Sequence, residues 1–72
     1  MRIRIHAEDL ADGKATHLLE LDNLCTVGEA ASRLPLAPST GLMILVNGKL
    51  AQWDTALRDG DVVELIPALG GG

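Results

Sequence analysis

The first eight residues alternate without a break, and that alternation most limits what the chain can become. Met1, Ile3, Ile5 and Ala7 point one way; Arg2, Arg4, His6 and Glu8 point the other. Successive side chains of a strand face opposite sides, so this is a strand with one apolar and one polar face. Such strands belong to sheets buried on one side. Asp12-Gly13 then signals a turn, and Thr16 to Asp22 predicts a second strand. There Leu19 and Leu21 share one face, Leu18 and Glu20 the other. The chain therefore opens with an antiparallel hairpin.

A helical period follows. Thr26 and Glu29 have capping-box spacing. Val27, Ala30, Ala31 and Leu34 fall on one helical face. Pro35 disfavours the α region at Leu34, so the expected helix runs about eight to nine residues. Pro35 to Gly41 reads as a loop, and the apolar run Leu42 to Val46 as a well-buried strand. Asn47-Gly48 signals a hairpin into the short strand Lys49-Leu50-Ala51. Asp54 is placed to cap one helical turn over Thr55-Ala56-Leu57. Asp59-Gly60-Asp61 is a tight turn, Val62 to Ile66 the last strand, and Pro67, lacking an N–H, ends its pairing.

The order is ββαβ, a short strand, a helical turn and a strand. That predicts an α+β roll of the β-grasp, ubiquitin-like type: a mixed four- to five-stranded sheet packed on one helix. The length of 72 residues allows one domain. Residues 1–67 are expected to form it and 68–72 a flexible tail. A chain this size buries only about 60–65% of its unfolded surface. The 47% hydrophobic content supplies one small aliphatic core, since Trp53 is the sole aromatic side chain.

Several chemistries are excluded on residue type. A net charge of -4 and a single aromatic ring suit neither a phosphate backbone nor base stacking, so nucleic acid is not an expected partner. No run approaches the roughly 20 apolar residues that span a bilayer, and Met1 to His6 lacks the apolar core of a secretory signal. The expected location is the cytoplasm, without a membrane partner. Cys25, the one cysteine, forms no internal disulfide and cannot hold a cysteine-only zinc or iron–sulfur site. Near a helix N-terminus its thiol is either activated or packed hydrophobically against Ala30; we read it as packed. His6 and His17 lie on the two strands of the hairpin, where they are able to face each other, but two histidines without a third ligand make no metal site. No phosphate-binding glycine motif is present, and no catalytic residue, bound cofactor or metal is expected.

The informative feature is the C-terminus, Gly70-Gly71-Gly72. Glycine has no side chain and the widest backbone freedom. A diglycine end is thin enough to thread a narrow channel and deliver its carboxylate to another protein's active site. There the carboxylate is open to activation as an acyl-adenylate, then to sulfide or amine attack. The competing reading is a frayed tail.

Leu57-Arg58-Asp59-Gly60-Asp61, the strand Val62 to Ile66, and Gly71-Gly72 as the last two residues resemble the end of the MoaD/ThiS family. Val46-Asn47-Gly48 is similar to that family's strand-turn segment. These are ubiquitin-like sulfur carriers of molybdopterin and thiamine biosynthesis. The resemblance implies that an E1-like adenylating enzyme of the MoeB/ThiF type uses ATP and magnesium to adenylate Gly72. A sulfur donor then makes a C-terminal thiocarboxylate, and a downstream synthase (molybdopterin synthase large subunit or thiazole synthase) takes the sulfur. Leu69, Gly70 and Gly71 would thread into the partner. Trp53-Asp54-Thr55 and Ile66-Pro67 look more like the molybdopterin branch; the short helix and compact length look more like the thiazole carrier. Ala68 stands where the molybdopterin branch commonly has a second proline. The molybdopterin-type carrier is the preferred reading. The thiazole carrier, a ubiquitin-like modifier joined through Gly72 to lysines, and a plain β-grasp interaction module are the alternatives. Leu18, Val62 and Ile66, left on the sheet face away from the helix, are the expected docking patch, joined by part of Leu42 to Val46 and framed by Arg2, Arg4 and Arg58.

Overall fold

In the computed structural model, which describes residues 1–9, 13–35 and 42–67, the elements are β1 (Arg2–Asp9), β2 (Gly13–Glu20), α1 (Val27–Ala31), β3 (Leu42–Val46), β4 (Lys49–Leu50) and β5 (Val62–Pro67). They form one five-stranded sheet in the order β2-β1-β5-β3-β4. β1 pairs antiparallel with β2 and parallel with β5, and β5 pairs antiparallel with β3. A mixed sheet with so little helix agrees with the β-grasp expectation. The residues expected to form the tail, 68–72, lie outside the described residues.

The alternation of β1 holds throughout. Ile3, Ile5 and Ala7 are buried, while Arg2, Arg4 and His6 are exposed. Val63 and Leu65 of β5 and Ile44 of β3 join them on the same side. Burying each large aliphatic side chain is worth about 1.5–3 kcal/mol.

The helix is shorter than its apolar period predicts. It spans five residues, with the expected capping box: Glu29 N donates to Thr26 Oγ1, and Thr26 N to Glu29 Oε1, both at 3.2 Å. Val27, Ala30 and Ala31 are buried and Leu34 packs against them, so the predicted face is correct. The difference lies at the C-terminal end. Pro35 has no N–H for the carbonyl of Ala31, which instead accepts from Leu34 N at 3.0 Å. Arg33 N bonds Ala30 O at 3.2 Å in the same tighter i to i−3 pattern. Ser32 Oγ also donates to Glu29 O at 2.7 Å. Three residues of the predicted helix thus become turns.

The helical turn expected at Thr55-Ala56-Leu57 does not form. That backbone is spent on the segment entering α1: Val27 N donates to Thr55 O (3.0 Å), Leu57 N to Cys25 O (2.8 Å), and Ala56 bridges Thr26 antiparallel. Gln52 to Thr55 forms the turn instead, closed by Thr55 N to Gln52 O and by Gln52 N to Thr55 Oγ1. The same segment explains Gly28, a weak helix former. Gly28 N donates to Trp53 O at 2.8 Å, and a β-carbon at residue 28 would meet that oxygen at 3.3 Å. Strand boundaries also move, and β4 ends at Leu50 rather than Ala51. β2 begins at Gly13 and ends at Glu20 because it pairs with the whole of β1. Pro67 is the last residue of β5, opposite Leu42, rather than the first beyond it.

Asn47-Gly48 connects β3 to β4 in the predicted tight hairpin, with φ of 53° and 83°. These paired positive values are what a two-residue hairpin turn requires. Asn47 does more than turn the chain. Its Nδ2 donates to Asp61 Oδ1 (2.9 Å), its Oδ1 accepts from Val62 N (3.0 Å), and its backbone N donates to Val62 O (2.8 Å). One asparagine therefore locks the β3–β4 turn to the start of β5. Replacing Asn47 with Ala removes the side-chain bonds and the residue's tolerance of positive φ. The expected loss is about 1–3 kcal/mol in urea unfolding; a loss under about 0.5 kcal/mol would show that the lock is idle.

Candidate functional site

The sheet has a core face and an open face, and strand register assigns residues to each. Arg4 stands between Leu18 of β2 and Val62 of β5. His6 stands between Thr16 and Glu64, and Glu64 opposes Leu45, which in turn opposes Leu50. Ile66 opposes Met43. The open face thus carries Leu18, Val62 and Ile66, as predicted, with Met43 and Leu45 contributed by the apolar run of β3.

The patch is not continuous. Leu18 is 73% exposed, whereas Val62 and Ile66 are half-buried. Leu18 and Val62 line an open groove of about 380 Å³ with Arg2, Arg4, Glu20 and Asp61. Ile66 lies about 13 Å further along β5, beyond Glu64, and sides with Met43. Arg4 and the His6–Glu64 pair of positions break the apolar surface into two parts. Of the framing arginines, Arg2 and Arg4 line the groove, and Arg2 Nε pairs with Glu20 Oε1 at 2.9 Å. Arg58 sits on the following turn. Its backbone N donates to Asp61 Oδ2 at 2.8 Å, and its carbonyl accepts from Asp61 N at 3.1 Å.

The Asp59-Gly60-Asp61 turn fixes one end of this groove. Gly60 adopts φ of 86°, a region costly for other residues. Arg2 N donates to Asp59 Oδ1 (2.6 Å), Gly60 N to Arg2 O (2.8 Å) and Arg4 N to Asp61 O (3.1 Å). The turn therefore clamps the start of β1 against the start of β5. Nothing in the sequence pattern links Asn47 with Asp61. The only signal for their contact is that each belongs to a recognisable turn.

The histidines do not face each other. Register puts His17 opposite Ile5 and His6 opposite Thr16, so the two rings lie on opposite faces. Register across this hairpin pairs odd-numbered residues with odd and even with even, and 6 and 17 differ in parity. His6 Nδ1 and Thr16 Oγ1 share a hydrogen bond at 2.8 Å. Among the described residues no cluster of His, Cys, Asp and Glu is arranged to hold a metal. No helix among them is long and apolar enough to cross a membrane.

Cys25 is half-buried and packs against the core. Burial pushes its thiol pKa up, Glu29 raises it further, and Arg33 offsets part of this. The carboxylate of the capping box thus opposes the thiolate that a helix N-terminus would favour. Leu69, Gly70, Gly71 and Gly72, the expected threading segment, lie outside the described residues.

A family model described as the ThiS family matches residues 7–72. The chain belongs to the ThiS family. No curated relative matches it at a significant level. The ThiS match runs through the Asp59-Gly60-Asp61 turn and reaches Gly71-Gly72, the segments on which the resemblance to sulfur carriers rests. ThiS family proteins are sulfur carriers rather than catalysts, and work with E1-like and synthase partners.

A thiol with a raised pKa holds little thiolate at neutral pH and reacts slowly. Cys25 is expected to react with an aromatic disulfide reagent at pH 7.5 at least about threefold more slowly than glutathione, and to lose that protection in urea. A rate above that of glutathione in the folded protein would contradict the packed assignment.

Proposed function

We propose that this ThiS family chain carries sulfur on the carboxylate of Gly72. A carboxylate oxygen attacks the α-phosphorus of ATP in the active site of an E1-like enzyme, and pyrophosphate leaves. A hydrosulfide-level donor then attacks the acyl carbon, AMP departs, and a thiocarboxylate remains. A synthase consumes the sulfur and returns the carboxylate. ATP and magnesium belong to the activating partner, and the carrier works in the cytoplasm. The observation that carries this reading is the family match extending to Gly72.

The preferred acceptor is the molybdopterin pathway, on the strength of Trp53-Asp54-Thr55 and Ile66-Pro67. The thiazole of thiamine is the second reading, and the five-residue helix is the specific observation in its favour. Leu18, Val62 and Ile66 form the docking surface, with the charged positions between them giving it orientation.

Deleting Gly72 withdraws the terminal carboxylate by about 3.5 Å. A misplacement of about 1 Å already costs about 10²-fold, so thiocarboxylate formation should fall by at least that factor while the melting curve stays unchanged. The readout is intact mass after incubation with ATP, the host's E1-like enzyme and a sulfur donor, with one oxygen exchanged for sulfur at Gly72. A shortened chain that still acquires sulfur would overturn the assignment. Gly72 found in amide linkage to lysine would favour the modifier instead. Supplying the charged carrier to each synthase separates the two pathways.

Leu18→Asp tests the patch. Leu18 is 73% exposed, so its loss should change stability by no more than about 0.5 kcal/mol. The KM for the carrier in adenylation should rise about tenfold, with kcat preserved. An unchanged KM removes Leu18 from the docking surface.

A further inference from the structure

β2 and β4 are the edges of the sheet, and β4 is two residues long against eight for β2. Among the described residues nothing pairs with the outer edge of β2. The residues presenting backbone groups there follow from the pairing beyond its inner end. Met1 and Leu21 exchange both N–H···O bonds, at 2.9 and 2.8 Å. Antiparallel ladders alternate such pairs, so Leu19, His17 and Ala15 turn their backbone groups towards β1. Lys14, Thr16, Leu18 and Glu20 turn theirs outward. Proteins commonly guard an edge with proline, a bulge, brevity or charge, and of these β2 has only the charges of Lys14 and Glu20 near its two ends. β2 has no proline, and its register with β1 is unbroken from Gly13 to Glu20.

We infer that this edge pairs with the same edge of a second copy of the chain, antiparallel about a two-fold axis at His17. Outward backbone groups pair only with outward ones, which confines the axis to a residue rather than a gap between residues. An axis at His17 sets Lys14 opposite Glu20 of the second copy and Thr16 opposite its Leu18, so every outward residue is matched. An axis at Thr16 leaves Glu20 facing residue 12, and one at Leu18 leaves Lys14 facing residue 22, both beyond the strand. The His17 register also places opposite charges in register twice. The product is one continuous ten-stranded sheet with the two open faces side by side. Self-association of this kind is independent of the sulfur-carrier reading.

An interface one strand wide is small, so association should depend on concentration. Sedimentation velocity of the full chain from about 10 µM to about 1 mM is expected to show a monomer–dimer equilibrium. Oxidation of His17→Cys in a Cys25→Ser background reads the register, because facing non-hydrogen-bonded residues bring their Cα atoms to about 4.5 Å. Its disulfide dimer should form at least about tenfold faster than that of Thr16→Cys, which stands opposite Leu18. Lys14→Glu should weaken the dimer about 3- to 30-fold, and the exchange Lys14→Glu with Glu20→Lys should restore it. A chain that stays monomeric across the range overturns the proposal. So does equal cross-linking at 16 and 17. Should His17→Cys fail to fold, a charge exchange that restores nothing overturns it equally.

Discussion

Arg4, Ile5 and His6 run parallel to Val62, Val63 and Glu64, and almost everything else in the structure follows from that pairing. Two parallel neighbours cannot be joined by a tight turn, so the chain between them must cross over. The connection carries β2, α1, β3 and β4, and its strands all return to the same sheet. Ile5 and Val63, side by side and fully buried, sit at the centre of the core. The clamp from Asp59, Gly60 and Asp61 to the backbone of Arg2 and Arg4 sets the register at one end. Because β5 is central, the pairing also fixes where Pro67, the last residue of β5, stands in the sheet.

The elements legible in the sequence are those governed by local rules. The alternation of Met1 to Ala7, the Thr26–Glu29 box and the Asn47-Gly48 turn each depend on residues within one turn or one strand of each other. The misread elements were decided by partners far away in the chain. Thr55 to Leu57 has a reasonable helical pattern, yet its backbone is taken by Cys25 to Val27. Gly28 looks like a defect in a helix until Trp53 O is placed against it. The shortening of α1 is different, because its cause was local. Pro35 stops the helix, and its missing N–H also alters the turn before it, which the apolar period of Leu34 conceals.

The open face was legible only in part, for a related reason. Period-two counting assigned Leu18, Val62 and Ile66 correctly to one face, and it also separates His6 from His17 once parity is followed through both strands. It says nothing of which residues lie side by side across strands. Register supplies that, and it inserts Arg4 between Leu18 and Val62; Glu64 separates Val62 from Ile66 along β5 itself. The three residues therefore share a face but do not form one continuous surface.

That division bears on what the face is suited to do. A large unbroken apolar surface would favour permanent association. Here Arg4 and Glu64 stand among the apolar positions, so the docking proposed for this face would have to match charges as well as bury side chains. Such matching governs encounter and register more than final affinity. A carrier in the proposed cycle must leave its activating enzyme before it meets the synthase, so modest affinity with a defined orientation serves it better than tight binding. The arginine-lined groove beside Leu18 and the Ile66–Met43 pair offer two separate contacts, and only Ile66 lies next to the point where the chain leaves β5. A partner that reads both would align the direction of β5, and with it the position of Pro67 at the end of that strand.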